Sequence, residues 1–302
     1  MDEIIVFGNV TLDVICQTVD DVPRYESLSF DKVVLSPGGC ASNVAVGLGA
    51  LGIPTILICK TGVDAAADIL IKKWKQFQLN LDYIKQIGEI HTAVSIGLVD
   101  HNAQPRFIHT PGANAYLSLD DLDDEIFQRH SIRLFHIGGF FVLPGLLDQE
   151  LPQKLSKIRQ FGCEISLDVV NSKRFWKAEF LFSAMPQLDY FLCNKIEATK
   201  LTGEEDVQTC AKIFRKAGAR NAIIKIGAEG CYVDGEDFQG IVPTKKVPVV
   251  DTTGAGDAFA AGMLASLMRG NSLYEACLAG NKSGANVVQE LGTITFWEKS
   301  LA

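Results

Sequence analysis

Short apolar runs alternate with amphipathic segments along most of this 302-residue chain. Most of these runs have apolar residues at consecutive positions, a pattern typical of strands that are buried on both faces of a parallel sheet. The runs occupy residues 4–10, 55–60, 134–138, 164–170, 190–194 and 222–227. The segments between them have helical spacing, as in the stripe of Ala41, Val44, Ala45, Leu48 and Leu51. Repeated strand–helix units predict an α/β fold with a doubly wound, mostly parallel sheet flanked by helices.

Two segments, at about residues 11–35 and 88–112, alternate apolar and polar positions instead. Alternation with a period of two, interrupted by turn residues, predicts a small antiparallel sheet with one exposed face. Because each segment adjoins a predicted core strand, we expect the two to meet as a lid over one edge of the main sheet. No internal repeat or linker divides the chain, so we predict a single domain over residues 1–302 with both lid segments inserted in it.

The composition narrows the classes of function. The net charge of −8 gives little basic surface, so we predict no nucleic-acid partner and no acidic membrane as a partner. No run approaches the roughly 18 apolar residues of a membrane span, and the acidic start is unlike a signal peptide, so a cytoplasmic location is expected. The eight cysteines are scattered without a CxxC pair, which predicts buried thiols rather than a zinc site or a disulfide framework.

The most informative segment is VVDTTGAGDAFAAG, residues 249–262. Its glycines precede a predicted helix, so backbone N–H groups at the positive end of the helix dipole are left open to an anion. A carboxylate at Asp257 would repel phosphate, but it suits a base that takes a proton from an attacking hydroxyl group. The alternative is structural, because Asp is a favoured helix N-cap.

A second glycine-rich segment, SPGGCASNVAVGLGALG, spans residues 36–52. Gly38 and Gly39 permit a close approach of the backbone to a ligand, and Asn43 projects an amide from the first turn of the following helix. The alternative is an ordinary glycine-rich turn between a strand and a helix. The chain has no GxxxxGK sequence and no GxGxxG after its first strand, so neither a P-loop nor a nicotinamide site is predicted.

Together and in this order, the two segments resemble the signature regions of the ribokinase-like (PfkB) family of carbohydrate kinases, GGxxxN and DTxGAGD. Further matches in family order extend the resemblance over essentially the whole chain: GNVTLD (8–13), DVVNSKRFW (168–176), NKIEA (194–198), IKIGAEG (224–230) and GNKSGANVV (280–288). The resemblance implies a ribokinase-like fold and an ATP-dependent sugar kinase that transfers the γ-phosphoryl group of ATP to a sugar hydroxyl group. It also implies a need for Mg²⁺ and, as in many members, for K⁺, and a homodimer formed through the lid sheet.

The resemblance also implies the residues of the reaction centre and of the sugar site. The catalytic residues would be Asp257 as the general base and the backbone N–H groups of Gly254, Ala255 and Gly256 as the anion hole. The sugar would be bound by Asp13, at the end of the first strand, and by Gly39 and Asn43.

For the nucleotide and the ions, the implied residues come from three further motifs and from the start of the segment at residues 249–262. ATP would be bound by Asn194, Lys225, Gly227 and Asn281. Glu197 would organise Mg²⁺ through water, and Asp251 and Thr253 would bind a monovalent cation.

Several of these residues also have structural interpretations. Asp13 is typical of a turn after a strand, and Glu197 of the acidic first turn of a helix. Asn281 lies on a helix whose predicted capping box is formed by Ser272 and Glu275. The Lys225 side chain ends a buried strand and can extend to solvent.

The sugar itself is not determined by the sequence. Ribokinases usually have a lysine where this chain has Cys40, and a glutamate where it has Gly138 and Gly139, so we expect a hexose, ketose or sugar acid more than D-ribose. One alternative is a nucleoside kinase, with Phe107, Phe140 and Phe141 as apolar walls for a base. Another is a sugar-binding sensor without activity, for which an intact Asp257 has no use. Arg106 could reach an anionic group of the substrate, although an exposed strand arginine is the plainer interpretation.

Overall fold

The computed structural model of the protein describes residues 2–101, 105–172 and 174–301. Residues 102–104 of the second lid segment and Lys173 of the DVVNSKRFW motif lie outside the described residues. The strands are β1 Glu3–Gly8, β2 Thr11–Gln17, β3 Lys32–Gly38, β4 Thr55–Ile58, β5 Lys60–Gly62, β6 Lys85–Ile87, β7 Val94–Val99, β8 Pro105–Thr110, β9 Ile132–Gly138, β10 Glu164–Asp168, β11 Tyr190–Asn194, β12 Ala222–Lys225, β13 Cys231–Asp234 and β14 Gln239–Val242. The helices are α1 Cys40–Ala50, α2 Ala65–Gln76, α3 Glu125–Arg129, α4 Leu151–Gln160, α5 Ala178–Ala184, α6 Lys195–Thr202, α7 Val207–Lys216, α8 Ala255–Met268, α9 Leu273–Val287 and α10 Thr295–Ser300.

The main sheet has the order β14-β13-β12-β11-β10-β9-β1-β4. Six neighbouring strands of this sheet, β12, β11, β10, β9, β1 and β4, are parallel. They correspond to the six predicted apolar runs. The antiparallel hairpin of β13 and β14 at one edge was not predicted. The fold prediction of a doubly wound, mostly parallel sheet is therefore confirmed.

Apolar side chains cover both faces of this sheet. Leu134 packs in the core on the side of α1, α8 and α9, while its neighbour Phe135 packs in the core on the side of α4 to α7. Because successive side chains of a strand point to opposite faces, a strand with a core on each side needs apolar residues at consecutive positions. This explains why apolar residues stand at consecutive positions in most of the predicted runs.

The small sheet, defined here as β2, β3, β7 and β8, has the order β3-β2-β7-β8. Its strands come from the two segments predicted to form the lid. The prediction of an antiparallel sheet is only partly correct, because β2 and β7 are parallel. Asn114 joins the far end of this sheet to the β1–β2 connection: its Oδ1 accepts from Val10 N at 3.0 Å and its Nδ2 donates to Val10 O at 2.8 Å.

The direction of chain winding reverses between β1 and β9, since β1 is followed by β4 on one side and β9 lies on the other. Ligands of open α/β sheets bind at the carboxyl ends of the strands beside such a point. The start of α1 lies directly over it, and a Cβ atom at Gly138 would come within 2.9 Å of Ala41 N. This contact gives Gly138 a packing reason to be glycine.

None of the helices within the described residues is long and apolar enough to cross a membrane.

Candidate active site

Helix α8 begins at the glycine-rich segment with no side chain capping it. Its N-cap is Gly254 at φ 78°, a left-handed conformation that favours glycine, and Asp257 is the third residue of the helix. The structure therefore does not place Asp257 as an N-cap. The N–H of Ala255 donates to Thr252 O at 3.2 Å, whereas the N–H groups of Gly254 and Gly256 have no acceptor among the described residues. These open donors at a helix N-terminus can bind an anion.

Asn43, in the first turn of α1, contacts Asp257 across the start of the two helices. Its Nδ2 donates to Asp257 Oδ2 at 2.7 Å, and its side chain is buried. Its Oδ1 is buried without a hydrogen-bond partner among the described residues. A buried oxygen without a hydrogen-bond donor destabilises the folded protein unless a polar ligand or water donates to it. The sequence predicted both residues for the site, and the structure brings them together.

The acidity of Asp257 is shifted by its surroundings. Burial raises its pKa to about 7, although the hydrogen bonds from Asn43 and from the Cys40 thiol act in the opposite direction. Burial and the charge of Asp257 in turn raise the pKa of that thiol well above its usual value, so Cys40 remains a hydrogen-bond donor. A carboxyl group that titrates near neutral pH is suited to act as a general base.

The two glycines before α1 make room for the protein's own groups. A Cβ atom at Gly38 would lie 2.0 Å from Asp13 Oδ2, and one at Gly39 would lie 2.7 Å from Asn9 O. Gly39 also has a φ of 85°. The close approach inferred from the sequence is therefore an approach to Asp13 and Asn9.

Asp13 was predicted at the end of the first strand, and this placement is wrong. It lies within β2, in register with Ser36 of β3 and Ser95 of β7. The carboxylate is buried and accepts a hydrogen bond from the Thr11 hydroxyl group at 2.7 Å. Burial raises its pKa to about 6, with the Thr11 hydrogen bond opposing the shift. Asp13 is thus carried by the small sheet rather than by the main sheet.

A cavity lies between the small sheet and the segments that flank it. It is small, about 40 Å³, and is lined by Asp13, Ile15, Val34, Ser36, Val99, Phe107, Val250, Asp251, Thr253, Leu291, Gly292 and Thr293. Phe107 contributes to this wall, whereas Phe140 and Phe141 are fully buried in the core. We call it the acceptor cavity, because it contains Asp13, which was predicted to bind the sugar. The other two predicted sugar residues, Gly39 and Asn43, are not among its lining residues.

A larger cleft of 510 Å³ lies on the other side of residues 251–256. It is lined by Asn194, Lys225, Gly227, Ala228, Gly230, Thr244, Lys245, Lys246, Val247, Val249, Thr252, Ala255, Gly256, Phe259, Asn281, Gly284, Ala285 and Val288. All four residues predicted to bind ATP are in this set. We call it the nucleotide cleft.

Lys225 ends β12 at the floor of this cleft. Its ammonium group contacts both carboxylate oxygens of Asp168, at 3.0 and 2.8 Å. Burial alone would lower its pKa, but the charges of Asp168 and Glu197 outweigh burial and raise the pKa. Lys225 is therefore held by an ion pair and does not extend to solvent.

Asn194 and Glu197 form a reciprocal capping box at the start of α6. Glu197 N donates to Asn194 Oδ1 at 2.9 Å, and Asn194 N donates to Glu197 Oε2 at 2.8 Å. The structural interpretation of Glu197, as an acidic residue in the first turn of a helix, is thus confirmed. Burial raises the pKa of Glu197 to about 7, with the charge of Lys225 acting against the shift.

The other predicted residues also make contacts within the protein. Asn281 Nδ2 donates to Val242 O at 2.8 Å, which joins α9 to the end of β14. Asp251 accepts from Thr253 N at 2.9 Å and from Gly292 N at 3.0 Å. Arg106 donates to Val19 O at 3.1 Å and to Asp20 O, so it braces a loop of the small sheet.

Sequence reasoning gave no role to three residues that the structure places in the site. Asp168 pairs with Lys225, Cys40 contacts Asp257, and Asn9 Oδ1 accepts from Cys40 N at 3.1 Å. Asp168 and Asn9 stand in matched motifs, which was the available signal. Their partners are far away along the chain, so the contacts themselves left no local pattern.

Comparison with solved structures defines the class of the fold. Arabidopsis thaliana ribokinase, complexed with ribose and ATP, has a TM-score of 0.80 at 23% identity and covers 100% of this chain and 99% of its own. Aminoimidazole riboside kinase from Salmonella enterica, complexed with aminoimidazole riboside and an ATP analogue, has a TM-score of 0.78 at 24% identity, with 100% of both chains covered. The protein thus has the ribokinase-like α/β fold.

The profile of the pfkB family carbohydrate kinases matches residues 1–300. The chain therefore belongs to this family. It is also 27% identical to probable fructokinase-6, chloroplastic, of Arabidopsis thaliana, over 96% of this chain and 78% of that protein. The sequence-based prediction of an ATP-dependent carbohydrate kinase is confirmed.

Proposed function

We propose that this kinase transfers the γ-phosphoryl group of ATP to a hydroxyl group of a small carbohydrate, with Asp257 as the general base. The observation that carries the proposal is the position of Asp257. Its carboxylate lies at the start of α8, beside the open N–H groups of Gly254 and Gly256, and is held by the amide of Asn43. A base next to an anion-binding helix end is the arrangement that phosphoryl transfer to an alcohol requires.

The chain's own groups supply the steps of this reaction. Above about pH 7 the Asp257 carboxylate is ionised and accepts the proton of the acceptor hydroxyl group. Asn43 fixes the orientation of that carboxylate through its hydrogen bond of 2.7 Å. The N–H groups of Gly254 and Gly256, with Ala255 between them, stabilise the oxygens of the phosphoryl group in transit.

The nucleotide cleft suits ATP in size and in lining. Its 510 Å³ lies within the range of about 300–1,000 Å³ usual for small-molecule sites. We assign Asn194, Lys225 and Gly227 to the phosphates and Asn281 to the side of the adenine. The free donors of Gly256 and the ammonium of Lys225 complement a polyphosphate.

Magnesium fits this cleft as an ion coordinated by phosphate and water. The described residues hold no group of three His, Cys, Asp or Glu side chains that could bind a metal by themselves. Mg²⁺ typically keeps several waters and takes one or two carboxylates along with phosphate oxygens. Glu197 would contact it through water, and the bound ion would neutralise charge on the phosphates. We further assign Asp251 and Thr253 to a monovalent cation such as K⁺.

A sugar is favoured over a nucleoside as the acceptor. The acceptor cavity combines the polar side chains of Asp13 and Ser36 with a short apolar wall. Of the three phenylalanines considered as walls for a base, Phe140 and Phe141 lie in the core. A nucleoside acceptor stays the second candidate, because Phe107 lines the cavity and the riboside kinase shares the fold. A sensor without activity would not need a base held next to an anion site.

We also propose that the outer face of the small sheet joins two copies of the chain. Val33, Leu35 and Ile108 are 52%, 47% and 64% exposed. Asp13 and Ile15, the residues on either side of Val14, line the acceptor cavity, so the Val14 side chain lies on the opposite face of the sheet. Leu35 pairs with Val14 and therefore lies on that same outer face. Light scattering should give a dimer for the native chain and a monomer for Leu35→Asp, with Ile241→Asp on β14 as the control that leaves the mass unchanged.

The experiment that tests the proposed function is a measurement of ADP release over a panel of acceptors. The panel contains pentoses, hexoses, ketoses, sugar acids, their phosphates and nucleosides, each with MgATP. We expect a free sugar or sugar acid to give the highest kcat/KM. If a nucleoside gives the highest kcat/KM, the acceptor is a nucleoside and not a sugar. If no acceptor increases the release of ADP, the proposal is contradicted.

A further inference from the structure

Asp168 is a buried carboxylate that the proposed reaction does not use. It is the last residue of β10, where it pairs in register with Gly138 of β9 and Leu192 of β11. Its side chain is 5% exposed, and both of its oxygens accept from Lys225 Nζ, at 3.0 and 2.8 Å. The carboxyl ends of β10 and β12 thus carry one ion pair across the edge of the sheet that faces the ligands.

The ammonium end of this pair lies beside the proposed anion hole. A Cβ atom at Gly256 would lie 3.1 Å from Lys225 Nζ. Lys225 also lines the nucleotide cleft together with Gly256 and Ala255. A cation at this point lies next to the open N–H donors of α8, where the charge of a transferred phosphoryl group would develop.

The pair determines both the charge and the position of this cation. A buried lysine without a partner tends to lose its proton, and its four-carbon side chain has many conformations. Glu197 also favours the ammonium, but its Oε2 already accepts from Asn194 N. Among the described residues, Asp168 is the acidic group that bonds Lys225 directly and with both oxygens.

We propose that Asp168 is a positioning residue, whose carboxylate holds the Lys225 ammonium beside Gly256, where it stabilises the phosphoryl group during transfer. This inference rests on the proposed function, because it assigns the transfer to the start of α8. Asp168 acts through Lys225 and does not touch the substrate. No bond is made or broken by either residue, and the ammonium remains protonated throughout.

The chain offers a matched control for the loss of a buried ion pair. Asp189 precedes β11 at the opposite end of the strands, and its side chain is 2% exposed. It contacts Arg159 and Arg220, and it accepts from Ile165 N at 2.8 Å. Asp189→Asn removes a comparable buried carboxylate far from the proposed site.

The test compares variants by kcat, by the Kd for MgATP from calorimetry and by thermal unfolding, with the best acceptor of the panel. For Asp168→Asn we expect kcat to fall about 100-fold, as on loss of one group that stabilises a transition-state anion. The Kd for MgATP should change by a smaller factor. Asp168→Glu should restore part of kcat. Asp189→Asn should lower the unfolding temperature at least as much and leave kcat within about twofold.

A double variant separates positioning from mere stabilisation. If Asp168 acts only through Lys225, then Lys225→Met and Lys225→Met/Asp168→Asn should have the same kcat. Effects that multiply in the double variant would overturn the inference, and so would an Asp168→Asn enzyme with the kcat of Asp189→Asn. If Asp168→Asn does not fold, the comparison of Lys225→Met with the double variant decides, because the latter leaves no unpaired charge in the pair.

The same assay distinguishes this inference from the proposed function. Asp257→Asn with nearly native turnover would contradict the function itself. An inactive Asp257→Asn together with a fully active Asp168→Asn would overturn only the role of Asp168.

Discussion

The nucleotide cleft and the acceptor cavity lie on opposite sides of residues 251–256, but they are built differently. The cleft is large and is formed by the main sheet with α8 and α9, including Lys225, Gly256 and Asn281. The acceptor cavity is small, and half of its wall, from Asp13 to Phe107, belongs to the small sheet. The difference teaches that nucleotide binding depends on the packed core, while the acceptor site depends on where the small sheet lies.

Asp257 follows Gly256, which lines the nucleotide cleft, and it contacts Asn43 of the predicted sugar site, so its loss should have the largest effect. Asp257→Asn should lower kcat by at least about 1,000-fold, with a smaller change in either KM, because a base and its placement are lost together. Steady-state kinetics measure this directly. Retention of a tenth of native turnover would refute the role of Asp257 and with it the proposed division of the site.

Substitutions on the two sides should separate the two substrates. Gly38→Ala places a Cβ atom 2.0 Å from Asp13 Oδ2, so it should lower kcat/KM for the acceptor on the order of 10- to 100-fold and leave the KM for ATP nearly unchanged. Asn281→Leu should lower the affinity for ATP about tenfold, because Val242 O loses its hydrogen-bond donor. It should leave kcat/KM for the acceptor nearly unchanged. Gly88→Ala, which meets open space, is the control. Equal effects on both substrates would remove the distinction.

The pH dependence should reflect the raised pKa of Asp257. Burial raises this pKa to about 7, and the base acts only when ionised, so kcat/KM for the acceptor should fall about tenfold per pH unit below pH 7. Below about pH 6, protonation of Asp13 should make the decline steeper. The affinity for MgATP, measured by calorimetry over the same range, should change less. A flat profile down to pH 5.5 would contradict the assignment.

The smallest expected effect is on stability. Because burial raises the pKa of Asp257 in the folded state, its contribution to stability is fully present below its unfolded pKa and is lost as the pH rises through about 7. Asp257→Asn should therefore raise the unfolding temperature of the ligand-free protein, by at least about 2 °C at pH 8 and by less at pH 6. Calorimetry at both values checks this, and an unfolding temperature that falls at pH 8 would show that the carboxylate stabilises the fold.

Most of the fold was predictable because burial on both faces leaves a local pattern. Residues 4–7 are apolar at every position, and this alone indicates a central strand. The direction of a strand leaves no such pattern, which is why the parallel pairing of β2 with β7 was missed. The hairpin of β13 and β14 was missed because β14, with the sequence QGIV, is mostly exposed and carries no run of apolar residues.

The site was predictable where its residues stand in motifs and unpredictable where they depend on distant partners. Asp257 and Asn43 were found from two glycine-rich segments. Asp13 was assigned to the wrong strand, because the two residues between β1 and β2, Asn9 and Val10, include neither glycine nor proline to mark a turn. The partner of Asp168 lies 57 residues away, and only the sheet brings the two together.

The amide of Asn114 has a consequence for the position of the acceptor site. By bonding both backbone groups of Val10, it fastens the first and the last crossing between the small sheet and the body of the molecule at one point. The position of Val10, three residues before Asp13, therefore depends on a side chain that follows the last strand of the small sheet. Separating the two crossings requires both of these hydrogen bonds to break.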